Sequence, residues 1–327
     1  MASTAVAAGT NVRTSRVQDF LRKLRSGDAI AHTVVMTFAA SILLITILLV
    51  AELFRQSHLT RGKFGLAFFF TRVWDPVAGD FGALPFIYGT IVTSLLALLM
   101  AVPLGLGAAI FLSEMAPPRI SDALTFVIEL LAAVPSVIYG LLGVFILVPL
   151  MRETVGPALA KTLGFLPLFS GPSYGVGVLT AGIVLAIMIL PFIVSISREA
   201  LLSVPREQRE AALALGATRW ETTWQIVAPY ARLGIIGSVF LGLARALGET
   251  MAVTMVIGND PRISSSLLAP GYSIAAVIAN EFTEATADLH LSALVELGLV
   301  LFLLTILING LARVLILATT RRGTSHP

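Results

Sequence analysis

Arg245 and Glu249 stand four residues apart inside an apolar stretch, in the run Arg245-Ala246-Leu247-Gly248-Glu249-Thr250. On a helix that spacing brings both side chains to one face. A charge in mid-membrane costs about 2.5–3.5 kcal/mol on insertion scales. Two such charges are retained because they neutralise each other in a salt bridge that steadies a bundle, or because a passing ion needs them. In the second reading Arg245 offers a fork of donors that matches an oxyanion. Glu249 beside it repels a fully deprotonated anion but accepts a hydrogen bond from a protonated one. Phosphate keeps an O–H near neutral pH and sulfate does not, so the pair suits phosphate better.

Other candidates carry less. Glu129 and Glu296 also fall in apolar runs, and each can face a cavity, pair with an Arg or be protonated. Pro135-Ser136 can expose a carbonyl and a hydroxyl to a pathway, or can be a plain kink. Gly171-Pro172-Ser173-Tyr174-Gly175 matches the G-x-S-x-G nucleophile elbow. That elbow needs a strand before it, a helix after it and an α/β sheet; no sheet is predicted, so these are turn residues. The chain has no cysteine, which excludes disulfides, thiol catalysis and Cys-ligated metals. Its histidines, His32, His58, His290 and His326, show no metal-ligand spacing. A phosphate-cradling loop needs Gly-Lys followed by Ser or Thr, and Gly62-Lys63 is followed by Phe64. Any ATP hydrolysis belongs to another subunit, and no catalytic residue or metal ligand is assigned.

The elements that must position Arg245 and Glu249 follow from composition. Of 327 residues, 57% are hydrophobic and only 13% charged, against about 25% charged in soluble domains. The chain is therefore expected to be an all-α polytopic membrane protein. Six apolar runs reach the roughly 20 residues that a hydrocarbon core needs, near 32–53, 86–112, 123–150, 174–197, 233–258 and 291–318. Pro103, Pro135 and Pro191 interrupt them, and such breaks survive only where protein or a cavity satisfies the freed backbone. Before them, Val17, Phe20, Leu21 and Leu24 among Arg16, Arg22, Lys23 and Arg25 predict an amphipathic basic helix on the membrane surface. The expected organisation is an N-terminal cytoplasmic segment, 1–30, a six-helix transmembrane domain, 31–318, and a cytoplasmic tail, 319–327. Of the 22 Lys and Arg residues, 14 fall on the side of the termini and 7 on the other. This places both termini in the cytoplasm. Within an outer loop, the apolar stretch 273–278 is expected to form a short helix dipping back into the bundle.

The most charged internal segment runs over 203–229, flanked by apolar runs. Pro205 can open a helix at its first position, with Glu207 in the first turn. Gly216 can close it in a left-handed cap. Thr218 and Glu221 are spaced as a capping box. Glu210-Ala211-Ala212, then Gly216, then Ile226-Val227-Ala228-Pro229 resembles the EAA loop of bacterial ABC importer permeases, with Ala228 where Leu is usual. The resemblance implies that the loop, 198–230, docks through Glu210, Ala211, Ala212 and Gly216 into an ATPase subunit that carries ATP and magnesium.

A longer match narrows the family. The stretches Trp74-Asp75-Pro76-Val77-Ala78-Gly79, Phe81-Gly82-Ala83-Leu84-Pro85-Phe86-Ile87-Tyr88-Gly89-Thr90, Val134-Pro135-Ser136-Val137, Arg245-Ala246-Leu247-Gly248-Glu249-Thr250-Met251-Ala252-Val253 and Ala279-Asn280-Glu281-Phe282 resemble the PstC-type permease of the bacterial phosphate (Pst) system. The resemblance covers roughly residues 30 to 318. It implies the MetI-like type I importer fold, with a second permease (PstA-like), two ATPase subunits (PstB-like) and a phosphate-binding protein (PstS-like) as partners. It also implies that Arg245 and Glu249 line the substrate pathway. The alternatives are a permease for another oxyanion such as sulfate or molybdate, a secondary transporter acting alone, and an intramembrane enzyme. The EAA-like loop disfavours the second, and the absence of a catalytic dyad disfavours the third.

Overall fold

A computed structural model describes residues 28–321. The expected surface helix over 17–24 and the tail beyond 321 lie outside the described residues. Eleven helices matter here: α1 (Asp28–Gln56), α2 (His58–Phe64), α3 (Leu84–Met115), α4 (Pro118–Ala132), α5 (Ser136–Leu163), α6 (Val178–Leu202), α7 (Arg206–Ala214), α8 (Arg219–Leu247), α9 (Met251–Val256), α10 (Ile274–Glu281) and α11 (Asp288–Arg321). Among the described residues there is no strand, only two isolated bridges, and six helices are long and apolar enough to cross a membrane.

The chain divides into two units at Arg55. The first is α1. Its Thr37 and Thr46 hydroxyls donate to the Thr33 and Ile42 carbonyls of the preceding turn. No hydroxyl of these two residues is therefore left for lipid to solvate.

The second unit is a bundle in tiers around α3 and α6. At one end Met151, Val178, Leu179 and Leu267 cluster. In the middle lie Ala97, Ala101, Tyr139, Ile189, Ala246 and Val256. At the other end are Ala109, Leu112, Leu201, Val204 and Val227, next to α7. Small residues bring the central pair close: a Cβ on Gly105 would stand 2.9 Å from Ile193 Cγ2, and one on Gly182 2.9 Å from Leu96 Cβ. Close backbone approach through glycine is how helices pack where lipid is as apolar as leucine.

Two expected spans are not single helices. The run 123–150 breaks at 133–135 into α4 and α5, because Pro135 pushes Val134 out of the helical region. The run 233–258 breaks at 248–250, between α8 and α9. A helix of membrane length nevertheless stands in each region, over Ser136–Leu163 and Arg219–Leu247. Ile128 joins the α7-end tier and Met151 the far one; Val227 joins the α7-end tier and Val256 the middle.

Four prolines shape the chain before them in one repeated way. The π turns 111–115, 143–147, 151–155 and 223–227 each end two residues before a proline: Pro117, Pro149, Pro157 and Pro229. A proline ring clashes with the carbonyl four residues back and offers it no N–H. The wider turn relieves the clash, with Ala116, Val148, Gly156 and Ala228 donating five residues back instead.

The expected dipping helix is α10. Its Ile274, Ala275, Ala276 and Val277 are buried. Ser273 caps it by accepting from the Ala276 N–H. Ile274 N–H donates to Thr90 Oγ1 at 2.9 Å, which fixes α10 to the start of α3. Around it Trp74, Phe81, Phe86 and His290 pack edge to face or stacked. Glu281 accepts from Trp74 Nε1 at 2.9 Å and contacts His290 Nε2 at 3.0 Å. Burial pushes the neighbouring Tyr272 phenol up to about 12, so it stays protonated at physiological pH.

A Cβ on Gly89 would stand 2.0 Å from the Tyr272 carbonyl oxygen, whereas one on Gly107 meets nothing within 4 Å. Gly89→Ala is expected to destabilise the protein by about 1–3 kcal/mol and to expose the 270–281 segment to hydrogen exchange. Gly107→Ala in the same helix should be neutral or stabilising by up to about 1 kcal/mol. Thermal unfolding in detergent of the two variants separates these outcomes.

Candidate functional site

Arg245 sits in the last turn of α8, which ends at Leu247. Its neighbours Ala246 and Leu247 are buried, and Ala246 belongs to the middle tier. The guanidinium carbon lies 4.2 Å from the centre of the Phe192 ring on α6. Its Nε is buried without a hydrogen-bond partner. Among the described residues, no carboxylate comes within 4 Å of it.

This corrects the expectation that one helical face presents both charges. The helix stops between them, at Gly248, so the i,i+4 geometry is never formed. Glu249 instead turns towards the next segment, and its Oε1 accepts from the Ala252 N–H in the first turn of α9 at 3.3 Å. A negative charge suits that position on a helix. The salt-bridge reading loses its contact. What remains is a half-buried cation resting on an aromatic face, an arrangement worth about 0.5–2 kcal/mol, with donor capacity unused at mid-bundle. Chemically it can receive an anion.

Glu296 is 2% exposed and stands 3.5 Å from Arg61 of α2, so of its three options it takes the Arg partner. Glu129 lies exposed on α4. Pro135-Ser136 is the junction of α4 and α5, where Ile138 N–H satisfies the Pro135 carbonyl. Ser173 donates to the Met151 carbonyl in a loop, the turn role expected of it.

The loop between α6 and α8 folds as its residues predict, with one shift. Pro205 is the N-cap of α7 rather than its first helical residue. Gly216 has φ +90°, with Ala217 N–H bonded to Ala212 O and Gly216 N–H to Leu213 O; this pair of bonds is a Schellman close. Thr218 and Glu221 form the capping box at the start of α8. Glu210, Ala211 and Gly216 are exposed, while Ala212 is buried beneath them. Leu215, 90% exposed, and the edge-to-face pair Trp220 and Trp224 flank this surface.

Sequence reasoning missed what holds the loop. Arg209 donates to both oxygens of Glu114 at the end of α3, at 3.2 and 2.9 Å. It also donates to the Val204 and Leu201 carbonyls. One half-buried guanidinium thus ties α7 to α6 and α3. Only the position of Glu114 among polar residues at the end of its apolar run hinted at such a role.

Residues 101–321 match the family described as binding-protein-dependent transport system inner membrane component. The chain is 48% identical over 317 residues to the phosphate transport system permease protein PstC of Mesorhizobium japonicum, covering 95% of this chain and 96% of that one. It is 52% identical to the PstC of Xylella fastidiosa, covering 79% and 81%. In fold it resembles a bacterial ABC transporter that imports the polysaccharide alginate, with a TM-score of 0.55, 18% identity, and 91% and 98% coverage. It also resembles the MetNI methionine ABC transporter in an inward-facing conformation, with a TM-score of 0.52, 16% identity, and 75% and 99% coverage. An all-α chain of six membrane helices with a MetI-like arrangement, it is a transport subunit rather than an enzyme: the protein belongs to the binding-protein-dependent transport permeases and, among them, to the PstC permease family.

Proposed function

We propose that this chain is the membrane-spanning translocation subunit of an ATP-driven phosphate importer, and that Arg245 is the residue a passing phosphate meets. The observation that carries the reading is a guanidinium at mid-bundle with no carboxylate partner among the described residues and a buried, unbonded Nε. An uncompensated charge there is costly, and an oxyanion in transit is the group that completes it. Glu249 stands four residues on, beyond the helix break, and can accept the O–H of hydrogen phosphate while repelling sulfate. The names of the relatives support the same substrate.

The surface of Glu210, Ala211 and Gly216, with Ala212 packed beneath it, is the proposed seat of a PstB-like ATPase dimer, on which ATP and magnesium reside. A PstA-like permease completes the pathway, and a PstS-like binding protein delivers phosphate from outside. The loop 198–230 and both termini are placed on the cytoplasmic side of the inner membrane, on the Lys and Arg distribution. The proposed organisation keeps 1–30 as a cytoplasmic segment, 31–318 as the permease domain and 319–327 as a tail.

Three results test this reading. In reconstituted vesicles with the full complex, Arg245→Gln should reduce phosphate uptake by at least roughly 100-fold, as the loss of a buried charge contact predicts, with the complex still assembled. Normal uptake would remove Arg245 from the pathway. Glu249→Gln keeps an acceptor for Ala252, so it should slow passage only modestly and weaken the rejection of sulfate as competitor. The exchanged pair Arg245→Glu with Glu249→Arg should lose transport, because no salt bridge exists to be preserved.

Coupling is tested at the loop. Glu210→Lys changes only the exposed surface, and Gly216→Pro cannot adopt φ +90°. Both are expected to insert normally yet fail to stimulate ATP hydrolysis. Orientation is tested by single cysteines, which the cysteine-free chain permits. Ser170→Cys should react with an impermeant maleimide on intact cells, and Ser203→Cys should react only after permeabilisation.

A further inference from the structure

A second basic site lies at the root of the loop, apart from Arg245. Glu114, Arg206, Arg209, Leu213, Arg219, Thr222 and Thr223 line an open cavity of about 580 Å³. Its walls come from three elements: the end of α3, α7 and the first turns of α8. The charges within it are not equivalent. Arg209 and Glu114 neutralise each other through two hydrogen bonds. Among the described residues, Arg206 and Arg219 have no carboxylate within 4 Å. The cavity therefore keeps two uncompensated guanidinium groups. Thr223 spends its hydroxyl on the Arg219 carbonyl. Thr222 does not: it is 4% exposed, and its Oγ1 is buried with no hydrogen-bond partner. A buried hydroxyl left unbonded is costly; Thr222 lines the basic cavity, and a turn about its χ1 brings the hydroxyl to face it.

We propose that this cavity is a binding site for a phosphoryl oxyanion, held by Arg206 and Arg219 and hydrogen-bonded by the Thr222 hydroxyl. Two arginines from α7 and α8 offer planar donor forks matched to phosphate oxygens, and a hydroxyl supplies a neutral donor from the cavity wall. Bound there, the anion bridges both helices of the loop beside the Arg209–Glu114 clamp, bracing the segment proposed to face the ATPase. The chemistry fits two sources: free inorganic phosphate, and the phosphodiester of an anionic lipid. The second is open to it because basic pockets at the ends of membrane helices hold such headgroups, and Trp220 and Trp224 lie next to Arg219.

The test uses the full chain carrying Arg245→Gln, so that phosphate in the pathway does not contribute. In nanodiscs of phosphatidylcholine alone, inorganic phosphate should change the emission of Trp220 and Trp224 saturably. In discs that contain phosphatidylglycerol, native mass spectrometry counts the anionic lipids retained on the chain. A phosphate response that phosphatidylglycerol leaves intact assigns the site to free phosphate. Retained phosphatidylglycerol with the phosphate response suppressed or absent assigns it to lipid. In either case Arg206→Gln with Arg219→Gln should weaken binding by at least roughly tenfold, and the near-isosteric Thr222→Val by a smaller factor. The proposal is overturned if neither ligand binds. It is overturned equally if binding persists unchanged in the double variant or, should that variant unfold, in Thr222→Val.

Discussion

A positive charge held at mid-bundle by a ring instead of a carboxylate is the constraint on which the proposed pathway depends. Had Arg245 found a carboxylate, the pair would be neutral and closed to an anion. Phe192 supports the guanidinium without neutralising it, because a quadrupole attracts a cation but carries no net charge. The price is a buried donor without a partner. That cost is tolerable in a chain whose packing elsewhere is dense, with glycines setting α3 against α6.

The break in the fifth apolar run follows from the same need. A continuous helix from Arg219 to Val256 would place Glu249 one turn above Arg245, and the two would pair. Ending α8 at Leu247 and restarting at Met251 turns the carboxylate to the Ala252 N–H. Breaks of this kind are permitted in a membrane only where protein covers the freed backbone. Both occur beside the middle tier, with Val134 and Ala246 packed in or against it. Pro149, Pro157 and Pro229 are handled differently, by π turns that let the helix run on. Breaks lie near the middle tier of the bundle, and these three wide turns lie where a helix merely has to continue.

The loop at the other end is built as a rigid knob. A Schellman close, a capping box and the Arg209 clamp fix α7 and α8 to each other and to α3 and α6. Rigidity suits the role proposed for this segment, passing motion between a soluble motor and a bundle, since a floppy joint would absorb it. The same construction leaves the cavity beside Arg209, whose two other arginines, Arg206 and Arg219, pair with no carboxylate among the described residues.

Much of this was legible from residue types. Composition and six apolar runs determine a polytopic helical protein, because about 20 apolar residues suit a bilayer and little else. Gly216, Thr218 and Glu221 determined the shape of the loop, since caps are local chemistry that three or four residues complete by themselves. The dipping helix α10 was visible as an apolar stretch inside a loop. Tertiary structure alone decided the partners. Spacing of four placed Arg245 against Glu249, but a helix break near Gly248 overrode it, and the ring that receives Arg245 lies 53 positions away in sequence, at Phe192. Arg61 with Glu296 and Arg209 with Glu114 join segments that no periodicity connects. Local patterns set the elements because their hydrogen bonds close within a few residues. Which charge meets which partner depends on the distance between elements, and only the packed bundle sets that.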